Sequence, residues 1–284
     1  MSLKTGNGIK WPNDKNIALM VTFDLDAEWL RFSRGLRCPL SFADKSRGMY
    51  GIEEGLPRIH RVLDKHGVKS TFFIPGRVIK KYPDAVEKIA KKGHELAYHG
   101  WAHEESFTHT MMAEEQCMIK AEKAFVELTG RRPSGARGCF DVTYDFTPQL
   151  LRSRGYKYSS VMKDCDYAYL YPGEGEAPLV ELPTDQSLDD YTYFFFTFNE
   201  PQHRSNYPVD YVFDYWKDAF DELAGEGDKI MVMKFHPQLI GRASRVLLLD
   251  RFLAYAGEHG AWTATCEEVA DYVIEFEREG GSAR

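Results

Sequence analysis

Apolar residues form short unbroken blocks that alternate with stretches of helical periodicity along most of the chain. The blocks at residues 17–23, 69–74 and 229–235 are rich in β-branched and aromatic residues, which predicts strands buried on both faces. Between them, apolar positions recur at spacings of three and four, as in residues 52–66 and 113–129, and a glycine follows each of these predicted helices. This alternation predicts an α/β fold with a parallel sheet.

Further blocks and periodic stretches extend the pattern to about seven strand–helix units. The additional strands are predicted at residues 94–97, 134–137, 156–161 and 180–182, and the additional helices at residues 82–92, 147–153, 208–224, 244–258 and 266–276. About seven such units fit an incomplete or irregular barrel. Because no linker rich in Pro, Gly or Ser interrupts them, we predict a single domain over residues 1–284.

Three stretches do not fit the alternation. Residues 29–51 are interpreted as a long irregular connection, which forms either a lid or wall of a site or an ordered surface excursion. Residues 191–198, with the sequence Y-T-Y-F-F-F-T-F, predict a buried aromatic strand, with a pocket lining or a subunit contact as the alternative. The preceding pair, Asp189 and Asp190, is interpreted as a solvated turn, with substrate binding as the alternative.

Acidic residues mark the end of the first predicted strand, at Asp24, Asp26 and Glu28. The carboxyl ends of parallel strands are where α/β barrels and open α/β sheets build their active sites. Alternation along the strand would place Asp24 and Asp26 on the same side. One carboxylate could then complete a metal site and the other could act as a base, whereas a capping Asp in a solvated turn is the alternative.

Two histidines four residues apart, His99 and His103, follow another predicted strand. On a helical turn, or in a tight loop of similar pitch, this spacing points both imidazoles in the same direction. Two neutral imidazoles are half or more of a zinc-type ligand shell. The alternative is a pair of histidines at the surface or core edge with ordinary hydrogen bonds.

Together these stretches resemble the polysaccharide deacetylase family, carbohydrate esterase family 4. The first motif of the family is similar to T-F-D-L-D at residues 22–26, and the second to H-G-W-A-H at residues 99–103. The third is similar to P-S-G-A-R-G at residues 133–138, and the last to F-H-P-Q at residues 235–238. The resemblance covers about residues 17–275 and is closest to an intracellular subgroup that contains a bacterial peptidoglycan deacetylase, allantoinase-like enzymes and cyclic imide hydrolases.

The resemblance implies a distorted (β/α)7 barrel that hydrolyses carbon–nitrogen amide bonds with the help of a divalent metal. The implied metal ligands are Asp26, His99 and His103. From the ligand types we expect Zn²⁺, with Co²⁺, Ni²⁺ or Mn²⁺ as alternatives.

Three further residues have catalytic roles implied by the resemblance. Asp24 is expected to be the general base, Arg137 to hold Asp24 in place, and His236 to donate a proton to the leaving nitrogen. Each of these side chains and each implied metal ligand follows a predicted strand, as the side chains of barrel active sites do.

Charge, cysteine content and the absence of long apolar runs indicate the cellular location and the classes of binding partner. A formal net charge of −7 disfavours a nucleic-acid-binding surface. Five cysteines without a C-x-x-C motif predict reduced thiols, and the N-terminus lacks the apolar region of a signal peptide. No apolar run approaches membrane-spanning length, so we predict a cytoplasmic protein with neither a nucleic-acid nor a membrane partner.

We therefore predict a hydrolase of a small soluble amide, imide or short N-acetylated sugar, with a partly closed pocket. The resemblance also implies a homo-oligomer, in the form of a tetramer. A polysaccharide or peptidoglycan N-deacetylase is the alternative within the same chemistry. A catalytically silent ligand-binding barrel and a metal-dependent phosphoesterase are alternatives of other classes.

Overall fold

A computed structural model of the protein describes residues 8–31, 42–104, 110–173, 176–197 and 203–280. The strands are β1 (Ile17–Asp24), β2 (Thr71–Ile74), β3 (Glu95–Tyr98), β4 (Gly135–Ala136), β5 (Tyr158–Ser159), β6 (Tyr169–Leu170), β7 (Val180–Glu181), β8 (Phe196–Thr197), β9 (His203–Arg204), β10 (Lys229–Phe235) and β11 (Ala261–Ala264). The helices are α1 (Phe42–Tyr50), α2 (Leu56–His66), α3 (Gly76–Lys81), α4 (Pro83–Lys91), α5 (Met111–Thr129), α6 (Thr147–Ser153), α7 (Asp190–Phe194), α8 (Val209–Glu226), α9 (Pro237–Ile240), α10 (Ala243–Glu258) and α11 (Cys266–Arg278). None of the helices in these ranges is long and apolar enough to cross a membrane.

The main sheet is curled into a half-barrel around β1. Its strand order is β10-β1-β2-β3-β4-β5-β7-β6, with β11 also paired to β1. All of these pairs are parallel except β6 with β7. One edge of β1 pairs with β10 along seven residues, whereas the other edge is shared between β11 and β2. This sheet confirms the predicted α/β barrel-type fold.

Alternation along β1 separates two layers of the core. Leu19, Val21 and Phe23 belong to the larger apolar cluster, which also contains side chains of α2, α8 and α10. Ala18 and Met20 belong to a second cluster, which includes side chains of α11. Because side chains two residues apart share a face, Thr22 and Asp24 continue the face of Ala18 and Met20.

The predicted irregular segment 29–51 is wrong in its second half, because α1 forms there and a single π turn at Gly51–Gly55 joins it to α2. Glycines, which indicated a loop, instead allow close packing. A Cβ on Gly48 would lie 2.3 Å from the backbone nitrogen of Glu28. Residues 32–41 lie outside the described residues.

The predicted aromatic strand at residues 191–198 is also wrong over most of its length. Helix α7 forms there because the Asp189 side chain accepts a hydrogen bond from the backbone nitrogen of Tyr191, 2.8 Å away, and caps the helix. Only the short strand β8 follows, and Phe198 lies outside the described residues.

Candidate active site

The carboxylates at the end of β1 are buried in the half-barrel. Asp24 is 4% exposed and Asp26 is fully buried. The backbone nitrogen of Leu25 donates to the carbonyl oxygen of Phe73 at 2.9 Å, which continues the β1–β2 pairing past the last residue of the strand. Both aspartates are therefore held by the sheet and do not lie in a solvated turn.

The loop after β3 is tight and non-helical. Gly100 has φ +76°, and a Cβ there would lie 2.7 Å from Sγ of Cys139. The Glu104 carboxylate accepts hydrogen bonds from the backbone nitrogens of Trp101 and Ala102 at 2.9 and 2.7 Å. These contacts fix the loop that carries the two predicted ligand histidines.

The loop brings His99 and His103 to Asp26. Their Nε2 atoms lie 3.4 and 3.6 Å from Oδ1 of Asp26. Nδ1 of His99 is 2.9 Å from the carbonyl oxygen of Arg137, which can only accept, so Nδ1 carries the proton and Nε2 presents its lone pair. Both oxygens of Asp26 are buried and, among the described residues, have no hydrogen-bond partner. A carboxylate and two imidazoles in this arrangement fit a divalent cation.

Arg137 lies fully buried beneath Asp24. Its Nη1 donates to Oδ1 of Asp24 at 2.8 Å and to Oγ1 of Thr22 at 2.9 Å, and its Nη2 donates to Oγ of Ser160 at 3.0 Å. The guanidinium carbon also lies 4.0 Å from the centre of the Phe73 ring. The arginine is thus locked in place and fixes one oxygen of Asp24.

The two aspartates have opposite electrostatic environments. Burial alone would raise the pKa of Asp24, but the charge of Arg137, with His99 and His236 nearby, holds the pKa well below its usual range. Burial raises the pKa of Asp26 to about 6, because the neighbouring histidines offset it only in part. Carboxyl groups with pKa values pushed apart in this way are typical of sites in which they have different roles.

His236 follows β10 and faces the same cluster. Its Nε2 lies 3.7 Å from Oδ2 of Asp26, and its Nδ1 lies 2.7 Å from Oδ1 of Asp190. Burial opposes the charged imidazolium, but the carboxylates of Asp190, Asp189 and Asp26 outweigh it and raise the pKa of His236 to about 10. The imidazole is therefore held in its protonated form at neutral pH.

Asp189 and Asp190 do not form the predicted solvated turn, because both are buried. Besides contacting the imidazole of His236, Asp190 accepts hydrogen bonds from the backbone nitrogens of His236 and Ile240. Asp189 pairs with Nζ of Lys234 at 2.9 Å, and Lys234 also pairs with Asp141 at 2.8 Å. Sequence reasoning missed the role of Asp190 and did not consider Lys234, although strand alternation places Lys234 on the same face as His236.

These side chains line one pocket of about 410 Å³. The lining residues are Asp24, Leu30, His99, His103, Phe140, Asp141, Gln186, Asp189, Tyr191, Thr192, Ser205, Lys234 and His236. Asp26 and Arg137 lie against this set through the contacts described above. The structure therefore brings together all six site residues predicted from the sequence.

Two further groupings place three metal-ligand atoms within 4.8 Å of one another. They are His99 with His103 and Cys139, and Asp189 with Asp190 and His236. Burial raises the pKa of the Cys139 thiol well above its usual range, and its Sγ donates to the carbonyl oxygen of His99 at 3.3 Å. The oxygens of Asp190 are already engaged by hydrogen bonds. Asp26 therefore fits better than either as the carboxylate partner of the two histidines.

Comparison with known proteins identifies the family. Residues 39–159 match the family model described as polysaccharide deacetylase. The chain contains a polysaccharide deacetylase family domain. Members of the family are metal-dependent, and this chain is a deacetylase-family hydrolase that acts on carbon–nitrogen amide bonds.

Similarity extends well beyond the matched segment. The chain is 27% identical to the peptidoglycan deacetylase of Helicobacter pylori over 280 residues, which cover 90% of this chain and 94% of that one. A crystal structure assigned as a polysaccharide deacetylase from Mycobacterium smegmatis superposes with a TM-score of 0.91 at 28% identity, over 97% of this chain and 96% of the other. The allantoinase PuuE shares the fold, with a TM-score of 0.82 at 24% identity over 96% and 94% of the two chains.

Proposed function

We propose that this polysaccharide deacetylase family hydrolase holds a divalent metal on Asp26, His99 and His103. The observation that carries the proposal is the buried Asp26 carboxylate, whose oxygens lack hydrogen-bond partners among the described residues while Oδ1 faces two imidazole nitrogens. One carboxylate and two imidazoles suit Zn²⁺ first, with Co²⁺, Ni²⁺ and Mn²⁺ as alternatives. When bound, such an ion makes water more acidic and polarises a carbonyl group.

The remaining side chains supply proton transfer. Asp24, held ionised by Arg137, accepts the proton from the attacking water. Arg137 orients Asp24 and is too deeply buried to exchange partners. His236, protonated and held by Asp190, donates a proton to the leaving nitrogen as the amide bond breaks. A base and an acid on separate strands can thereby act on opposite parts of one amide group.

The substrate we propose is a small soluble amide, imide or short N-acetylated sugar. Support comes from the size of the pocket, about 410 Å³, and from its apolar and aromatic walls at Leu30, Phe140 and Tyr191. The second candidate is N-deacetylation of a polysaccharide or of peptidoglycan, which the name of the Helicobacter pylori relative favours. We further propose one catalytic domain over residues 1–284, a cytoplasmic location, and a homo-oligomer that is a tetramer by the resemblance.

The metal assignment is tested on protein purified without added metal. We expect one divalent ion per chain by elemental analysis, and sharply reduced occupancy in His99→Ala, His103→Ala and Asp26→Ala. The exposed His259 provides the matched control, because His259→Ala removes an imidazole that stacks on Tyr255 and does not line the pocket. Full occupancy in the His99→Ala, His103→Ala double variant would contradict the assignment.

The substrate class is tested with one metal-loaded sample. Initial rates are compared on hydantoin- and glutarimide-like compounds, on N-acetylglucosamine oligomers and on polymeric glycans. We expect the small compounds or short oligomers to react faster. Preference for the polymer would support the second candidate, whereas no turnover on any amide with full metal occupancy would support a silent ligand-binding barrel.

A further inference from the structure

Helix α5 presents apolar side chains to solvent on its outward face. Met112, Ile119 and Val126 are 72%, 40% and 43% exposed, although the outward face of a surface helix is usually polar. The inward face is already satisfied, because Met118 and Phe125 are buried in the core. The three exposed residues follow one another at intervals of seven, so they form one line of apolar side chains along the helix surface, with one apolar residue in each heptad.

Two of the charges beside this stripe, Glu115 and Lys123, are placed symmetrically about its centre. Within the chain Glu115 contacts Arg154 at 3.3 Å and Lys123 contacts Glu127 at 4.0 Å, both as partly exposed pairs. Met112 and Val126 lie seven residues before and after Ile119. Glu115 and Lys123 lie four residues before and after it, and their side chains are 41% and 78% exposed. In an antiparallel pair of α5 helices centred on Ile119, each Glu115 would therefore face Lys123 of the other copy, and each Met112 would face Val126.

We propose that α5 binds α5 of a second copy of this chain, antiparallel, about a twofold axis at Ile119. The interface would be isologous, with an apolar seam at its centre and two opposite-charge pairs flanking it. The proposal names the surface for the self-association put forward above and rests on that part of the proposed function. It does not depend on the metal or on the hydrolytic roles.

A second exposed apolar face, on α8, lacks this complementarity. Tyr211 and Tyr215 are exposed there, but they alternate with Asp210, Asp214 and Asp218. Two copies meeting through that face would bring carboxylates together, and like charges brought together in an interface oppose association. The charge pattern therefore favours α5 over α8 as the surface that binds another copy.

Cysteine cross-linking tests the geometry. On the proposed axis, position 119 meets itself, so Ile119→Cys should form a disulfide-linked dimer under mild oxidation. Val126→Cys is the matched control, since it lies in the same stripe but roughly 20 Å from its own copy by helix rise. It should cross-link only when Met112→Cys is present. The wild-type chain under the same oxidant measures what the native cysteines contribute.

Charge reversal tests the energetics. Ile119→Arg should raise the dissociation constant by about 100-fold or more in analytical ultracentrifugation, because two guanidinium groups would meet on the axis. Lys123→Glu alone should weaken association, and adding Glu115→Lys should restore it. Retained amide hydrolysis and circular dichroism show that each variant is folded.

Three results are decisive. The proposal is supported if position 119 cross-links and if the Ile119→Arg oligomer contains half as many chains as the wild-type oligomer. An intact oligomer in Ile119→Arg with no cross-link overturns α5 as the surface and leaves self-association standing. A monomeric wild-type chain overturns both and leaves the hydrolase assignment untouched.

Discussion

At the scale of single residues, the site separates two aspartates that the sequence places only two positions apart. Arg137 contacts Asp24 directly, while Asp26 faces His99 and His103. The same strand end therefore presents one carboxylate fixed by a guanidinium and one without hydrogen-bond partners among the described residues. This difference is the basis for assigning them different roles.

Replacing Asp24 by Asn should therefore separate catalysis from metal binding. We expect Asp24→Asn to retain its metal and to lose about 10²- to 10⁴-fold in kcat, the usual scale for loss of a general base. Metal content and steady-state kinetics on the same sample check this. Asp26→Asn is the matched variant and should lose the metal. If Asp24→Asn emptied the site instead, the two roles would be reversed.

The site residues that the sequence predicts are acidic residues or histidines that follow a predicted strand at a spacing of two or four residues. Asp24, Asp26, His99 and His103 met that condition, and the structure places them together. Asp190 did not, because an acidic pair before an aromatic run has the composition of an ordinary turn. Its contact with His236 joins positions 46 residues apart in the chain, and no local pattern encodes such a pairing.

At the scale of elements, strong periodicity predicted the structure well. Helix α6 and strand β10 have the predicted bounds, and the glycines after α2 and α5 end those helices with positive φ. The predictions failed where tertiary contacts override local signals. Helix α1 tolerates Gly48 because the backbone of residues 27–28 packs against it. Helix α3, which was not predicted, begins at Gly76 with Pro75 as its N-cap, directly after β2.

Strand β3 carries a buried carboxyl group outside the active site, and it gives a pH prediction. Glu95 accepts hydrogen bonds from Thr71 at 2.7 Å, Tyr158 at 2.6 Å and the backbone nitrogen of Glu267 at 3.0 Å. Burial nevertheless raises the pKa of Glu95 to about 7. Because the folded-state pKa exceeds the unfolded value, protonation stabilises the fold. This contribution is fully present below the unfolded pKa, near 4.5, and is lost as the pH rises through 7.

Glu95→Gln should remove the loss of folding stability that occurs when Glu95 ionises, because Gln stays neutral at every pH in this range. Relative to the wild type, we expect the variant to gain stability between pH 5 and pH 8, by at most about 3 kcal/mol. Urea unfolding at both pH values measures it. The exposed Glu87 provides the matched control as Glu87→Gln. An equal difference in unfolding free energy at both pH values would contradict the prediction.

At the scale of the whole molecule, the proposed metal joins loops that are distant in sequence, so its binding should stabilise the entire fold. A ligand that binds only the folded state adds about 2.7 kcal/mol at 100 times its dissociation constant. We expect the melting temperature of the metal-free wild type to rise on titration with Zn²⁺. The His99→Ala, His103→Ala double variant should show almost no rise. A comparable rise in both proteins would place the binding elsewhere.

The pairing of β1 has a consequence for how the protein is made. All eight residues of this strand are buried, yet Ile17 pairs with Lys229, which is 229 − 17 = 212 positions later. At about 5–20 residues per second, a ribosome needs roughly 10–40 seconds to deliver that partner. During this interval the edge of β1 that pairs with β10 has no partner, and residues 17–20 also lack their partner on the other edge, because β11 is made later still. Two of the site carboxylates lie at the end of this unpaired strand. A chaperone that shields the first 26 residues would therefore protect the future core and the future active site at once.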